Sequence, residues 1–128
     1  MVKLLFIAAG GAVGAVLRYA VGSGVQRLSG GAFPWGTLSV NLIGSFAIGV
    51  LWAFCDQRTV PPNVRLLLLT GLLGAFTTFS TFSLETMHLI QDRQYTPAVA
   101  NVAVSCLAGV VLVFCGFLAT RWILGGVR

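Results

Sequence analysis

Four long stretches without a charged residue dominate the pattern of this chain. They lie between Lys3 and Arg18, Arg27 and Asp56, Arg65 and Glu85, and Arg93 and Arg121. A helix that crosses a bilayer needs about 20 apolar residues. The pattern therefore predicts an all-α membrane protein, with one four-helix domain over residues 1–128 and spans at about 4–22, 35–55, 66–90 and 97–121. Turn-forming residues and most of the remaining charges fall between the spans.

The composition agrees with a protein whose partner is the lipid bilayer. Only 9% of the residues are charged, against about 25% in soluble domains, and the mean hydropathy is +0.94. The net charge of +5 comes from basic residues scattered at the predicted helix ends. Such residues are typical flanks of membrane spans, and they form no stripe that would bind nucleic acid. We therefore expect no nucleic-acid partner.

Residues 71–83, in the third span, carry five hydroxyl residues, two glycines and three phenylalanines. Threonine is β-branched, and serine and threonine compete for backbone hydrogen bonds, so a helix is locally disfavoured. Backbone groups released inside a membrane need partners in the protein or a wet cavity. The stretch predicts a third helix broken in mid-membrane, with its hydroxyls turned away from lipid. The alternative is a continuous helix whose hydroxyls bond back to their own turn.

Polar residues in the first two spans are candidates for an anion path. Arg18 shares a face with Gly14, which predicts that it faces a vestibule and attracts anions there; the alternative is an arginine that reaches out to headgroups. Thr37 and Asn41 share a face of the second span. An asparagine amide offers two donors without formal charge, although membrane asparagines also join helices to one another.

Further candidates lie in the third and fourth spans. Phe79 and Phe82 share a helical face, and an aromatic ring has a positively polarised edge that could meet an anion; core filling or lipid contact is the alternative. Gly74 and Thr77, three residues apart, could direct backbone carbonyls at a cation in an unwound turn. The fourth span carries a small and polar stripe that predicts a packing seam. Near Asn101 and Ser105 that stripe could also form a polar track for ions.

Glu85 and His88 have the spacing of a metal-binding carboxylate and imidazole pair. With one copy at the end of a span, we interpret them as interfacial polar residues rather than as a metal site.

The basic residues hardly decide the orientation. If the chain crosses the membrane four times, three basic residues (Arg18, Arg27 and Arg93) fall on one side. The other side has five: Lys3, Arg58, Arg65, Arg121 and Arg128. Since orientation follows the asymmetry of lysine and arginine, this small bias allows both insertions and hence an antiparallel dimer.

The chain resembles the Fluc (CrcB) family of fluoride channels over nearly its whole length. The resemblance rests on GGAVGA (10–15) with Arg18 and Tyr19, GTLSVN (36–41) with GSF (44–46), and GLLG (71–74) with FTTFSTF (76–82). It implies a dual-topology antiparallel homodimer in the bacterial inner membrane, with two pores and a central sodium ion. The implied activity is passive export of fluoride, which lowers intracellular fluoride and gives resistance to it.

The resemblance also implies roles for residues. Gly74 and Thr77 would give backbone carbonyls to sodium, and Arg18 would make the vestibule positive. Phe79 and Phe82 would line the pore with ring edges, and Asn41 would donate a hydrogen bond to fluoride. The remaining predicted pore residues are Ser80, Thr81, Thr37 and Ser105.

Three other functions stay open from the residues alone. A proton-coupled exporter of the small four-helix dimeric type normally needs a carboxylate inside the membrane, and the first three spans have none before Glu85. A membrane enzyme using Glu85 and His88 with a metal lacks a second set of ligands and a nucleophile with its base. The last possibility is a structural four-helix protein. The prediction is a channel and not an enzyme.

Overall fold

The computed structural model describes residues 1–125, and every regular element in that range is a helix. Arg128, one of the basic residues used for the orientation argument, lies outside this range. Helix α1 comprises Val2–Ser29, α2 Trp35–Gln57, α4 Phe79–Gln91 and α5 Tyr95–Ile123. Helix α3, over residues 62–76, consists of an α-helical turn Pro62–Arg65, a π-helical segment Leu66–Leu73 and a final turn Gly74–Phe76.

The four predicted spans are confirmed. Four helical segments are long and apolar enough to cross a membrane: Val2–Ser29, Trp35–Gln57, Pro62–Gln91 and Tyr95–Ile123. The third is interrupted at residues 77–78, as the pattern predicts. The first helix continues to Ser29, past the predicted end at about residue 22, because Gly22 and Gly24 do not stop it. It ends instead at Gly30, whose φ of 64° suits glycine.

Glycines allow close contact between α1 and α3. A Cβ built at Gly10 would overlap the carbonyl oxygen of Leu67, and one at Gly14 would overlap that of Leu72. Nothing lies within 4 Å of a Cβ built at Gly11. The small residues at 10 and 14 therefore form the contact face, and this contact fixes α3 beside α1.

The stripe on the last span is a packing seam, as predicted. Helices α2 and α5 pack along it, since a Cβ at Gly116 would overlap the carbonyl oxygen of Phe46. Asn101, Gly109 and Thr120 of the stripe are buried as well. The Asn101 amide donates to Thr86 Oγ1 of α4 at 2.9 Å. Helix α5 therefore holds α2 on one side and α4 on the other, with the interruption of the third span between them.

Candidate functional site

The interruption between α3 and α4 occupies two residues, Thr77 and Thr78. Both have extended ψ angles, of 156° and 120°, instead of helical ones. Thr78 Oγ1 accepts a hydrogen bond from the backbone N–H of Thr81 at 3.2 Å, so Thr78 caps the new helix. A threonine in this position satisfies one of the unpaired donors at a helix start. The hydroxyl residues that disfavour a continuous helix thus also begin the next one.

Asn41 of α2 pairs with the backbone at the interruption. Its Nδ2 donates to the carbonyl oxygen of Thr78 at 2.9 Å, and its Oδ1 accepts from the N–H of Thr78 at 2.8 Å. Thr78 is 9% exposed, so both backbone groups need such partners. Asn41 therefore joins two helices. An amide nitrogen carries two hydrogens, and one of them remains for a ligand.

The interruption also releases backbone carbonyls from their usual partners. In a continuous helix the N–H of Thr78 would bond the carbonyl of Gly74, and the N–H of Thr81 would bond that of Thr77. Here these N–H groups bond Asn41 Oδ1 and Thr78 Oγ1 instead. Gly74 is exposed on the surface of the chain. The carbonyls of Gly74 and Thr77, which are predicted to bind sodium, are thus among those that lose their helical bonds.

Two cavities share Thr78 in their linings. The larger, of about 600 Å³, is called the vestibule here; Arg18, Thr37 and Thr81 line it. The smaller, of about 330 Å³, is called the inner cavity. Its lining includes Asn41, Gly74, Thr77, Phe79, Phe82 and Ser105. Thr78 lines both cavities. Most of the predicted site residues therefore line one of two cavities that share Thr78.

The two predicted pore phenylalanines differ in burial. Their ring centroids are 5.5 Å apart with planes tilted by 46°. Phe82 is 8% exposed, whereas Phe79 is 78% exposed on the isolated chain. Phe82 is therefore part of the wall of the inner cavity, and Phe79 stands at its open side.

The four predicted pore hydroxyls have different surroundings. Thr81 Oγ1 accepts from Thr78 Oγ1 at 3.0 Å, which leaves its own proton for the vestibule. Ser105 Oγ is buried beside the inner cavity and has no partner among the described residues. Ser80 lies outside the linings of both cavities, is exposed, and is 3.4 Å from Thr78 Oγ1. Thr37 Oγ1 lines the vestibule, but its proton is donated elsewhere.

The Thr37 hydroxyl instead donates to Glu85, which lines the vestibule but is not among the predicted site residues. Thr37 Oγ1 donates to Glu85 Oε1 at 2.8 Å, and Glu85 Oε2 is buried with no partner in the described part of the chain. His88 also lines the vestibule. Glu85 lies one turn after Thr81, and that spacing could have indicated a shared face. Residues 1–125 contain no group of three or more His, Cys, Asp or Glu that could hold a metal ion.

Comparisons with known proteins point to one family. Residues 5–117 match the model of the family described as "CrcB-like protein, Camphor Resistance (CrcB)". A protein of Magnetococcus marinus named "Fluoride-specific ion channel FluC" is 48% identical over 122 residues, which cover 94% of this chain and 99% of that protein. Proteins with the same name from Caulobacter vibrioides and Geobacter sulfurreducens are each 46% identical over 94% of this chain. The matches cover 97% and 98% of those two proteins.

Proposed function

The chain belongs to the CrcB-like family, and we propose that it is a fluoride channel that passively exports fluoride across the membrane. It is a multi-pass membrane protein and a channel rather than an enzyme, and we place it in the bacterial inner membrane. The observation that carries the proposal is the pair of cavities, the vestibule and the inner cavity, which share Thr78 and contain most of the predicted site residues in their linings. The relatives named as fluoride-specific channels supply the identity of the ion.

The chemistry of the two cavities suits a small and strongly hydrated anion. Fluoride must exchange its water shell for donors, yet it must be held weakly enough to leave again. Arg18 raises the anion concentration in the vestibule through its positive field. The remaining Nδ2 hydrogen of Asn41 and the hydroxyl proton of Thr81 are neutral donors beside Thr78. Thr37 has no such donor while its proton bonds Glu85.

The inner cavity offers aromatic edges and one hydroxyl. The partially positive edges of Phe79 and Phe82 can stabilise an anion without charge, and both rings line this cavity. Ser105 Oγ, which has no partner among the described residues, is a donor available in the same cavity. We assign the passage of dehydrated fluoride to these three residues.

A second copy of the chain completes the pore in this proposal. Phe79, Ser80, Thr81 and Ser83 are exposed on α4 of the isolated chain, and hydroxyl groups are unfavourable against lipid tails. A second copy would cover this face. The near balance of basic residues on the two sides supports an antiparallel arrangement in which both orientations insert.

We further propose that a sodium ion binds at the centre of this dimer. The carbonyls of Gly74 and Thr77 fit a hard cation, because both have lost their helical partners and oxygen is the ligand such ions prefer. Each chain supplies two such oxygens, so two chains would supply four. In this role the positive ion would hold together two segments, one from each chain, whose carbonyl oxygens carry partial negative charge.

Fluoride efflux from liposomes tests the function. Purified protein is reconstituted into vesicles loaded with potassium fluoride, and release is followed with a fluoride electrode. We expect rapid efflux that requires the potassium carrier valinomycin, since a channel moves net charge, and no comparable efflux of chloride. Efflux that instead requires a proton gradient would support the proton-coupled exporter, and no efflux would contradict the proposal.

Substitutions of the aromatic rings test the proposed fluoride path. We expect Phe82→Ile to reduce fluoride efflux at least about tenfold, because an aliphatic side chain of similar bulk has no polarised edge. Phe114→Ile is the matched control, since Phe114 is exposed on α5 and lines neither cavity. Equal efflux from the wild type, Phe79→Ile and Phe82→Ile would show that the aromatic rings do not contribute to fluoride conduction.

A further inference from the structure

The vestibule contains more ionisable side chains than attraction of an anion requires. Arg18 and Tyr19 come from α1, Glu85 and His88 come from α4, and Asp92 is the C-cap of α4. The lining residues from α2 and from the segment before it do not titrate, and α5 contributes none to this lining. A tyrosine hydroxyl is uncharged near neutral pH. The field in the vestibule therefore depends on one arginine, two carboxylates and one imidazole.

His88 lies between the two carboxylates on the same helix. Glu85 is one turn before it and Asp92 one turn after it, and residues so spaced have Cβ atoms about 5–6 Å apart. The N–H of Asp92 donates to the carbonyl of His88 at 2.9 Å, which fixes this last turn of α4. The His88 side chain itself is exposed. Its imidazole is therefore accessible to solvent.

The local charge depends on this imidazole. Arg18, Glu85 and Asp92 set the charge of the vestibule while His88 is neutral. Protonation of His88 makes that charge more positive by one. Histidine is the side chain whose charge ordinarily changes between about pH 5 and 8.

We propose that His88 sets the rate of anion entry, so that the channel passes fluoride faster when the imidazole is protonated. The inference rests on the proposed fluoride channel. Fluoride crosses membranes as its neutral weak acid, so acid surroundings load a cell with more of it. A pathway whose entrance becomes more positive at acid pH conducts best when this load is greatest.

The expected effect is small and depends on salt. An anion about 7 Å from the imidazolium gains enough attraction in water to raise its local concentration about threefold. Screening at about 0.15 M ionic strength lowers this gain to about 1.5-fold. If the current at low fluoride concentration changes by this factor, and the change disappears in concentrated salt, the effect has an electrostatic origin.

Fluoride currents through planar bilayers test the proposal, because neutral hydrogen fluoride carries no current. The wild-type protein is measured at low ionic strength and low fluoride, at about pH 8 and about pH 5, on either side of the histidine range. We expect the current to rise about threefold on acidification. His88→Gln should remain at the lower level at both pH values, and His88→Lys should remain at the higher level.

A second variant controls for the carboxyl group of Glu85. Glu85→Gln cannot gain a charge-neutralising proton, so it should keep the response to pH if His88 causes that response. If His88→Gln retains the full wild-type response, another group causes it and the inference is wrong. If the wild type carries no fluoride current at any pH, the proposed function fails and the inference fails with it.

Discussion

Replacement of Asn41 by leucine should destabilise the protein as well as stop transport. The two side chains are similar in volume, but leucine can form neither of the hydrogen bonds to Thr78, at 2.8 and 2.9 Å. The N–H and the carbonyl of Thr78 then lose their partner at a position that is 9% exposed. A buried backbone group without a partner costs about 1–3 kcal/mol, so the pair costs about 2–6 kcal/mol. Water in the adjoining cavities can bond these groups in part, which favours the lower end, about 2 kcal/mol.

Reversible unfolding in mixed micelles, titrated with sodium dodecyl sulfate, measures this loss. Ser45→Ala is the matched control, because Ser45 is on the same helix and lines the same cavity as Asn41. We expect the control to change the unfolding free energy by less than about 0.5 kcal/mol, as most substitutions away from special features do. An equally small change in Asn41→Leu would refute the conclusion that this side chain holds the interruption together.

Two further substitutions test the packing and the cap. Gly14→Ala places a methyl group on the carbonyl of Leu72 and should destabilise the chain by about 1–3 kcal/mol. Gly11→Ala is the control and should not destabilise the chain, because the space around Gly11 is open. Equal losses of stability in the two variants would contradict the α1–α3 contact. Thr78→Val removes the hydroxyl that accepts from the N–H of Thr81 and should cost about 1 kcal/mol. Thr78→Ser keeps the cap, so a loss as large as that of valine would contradict the role of the hydroxyl; both are measured by the same titration.

The spans and the position of the interruption could be predicted because each follows from local composition. The length of a run without charged residues identifies a membrane helix, and a cluster of threonine and serine weakens a helix locally. The π-helical form of Leu66–Leu73 gave no comparable signal. Its leucines are typical of an α-helix, and its Gly71 contacts Gly10 of another helix. A contact between distant segments cannot be seen in either segment alone.

Residue types and the family resemblance indicate which side chains border the two cavities, but not how these side chains pair. Asn41 is predicted from residue type and spacing and Thr81 from the resemblance, and each lines one of the cavities. Glu85 was interpreted as an interfacial residue because it comes at the end of an apolar run. Its partner Thr37 is 48 residues away in the sequence, and only the fold brings the two together at 2.8 Å. A hydroxyl predicted to donate to an anion therefore donates to a carboxylate instead.

The interruption explains why α2 carries an asparagine and a glycine three residues apart. An extended turn inside a membrane leaves backbone groups that hydrocarbon cannot satisfy. Asn41 satisfies two of them without adding a charge to the proposed fluoride path. Gly44 lets α2 approach closely enough for this, because a Cβ there would overlap Thr77 Cγ2. Since the same bonds divert the N–H of Thr78 from the carbonyl of Gly74, the pairing that stabilises the turn also frees an oxygen for a cation.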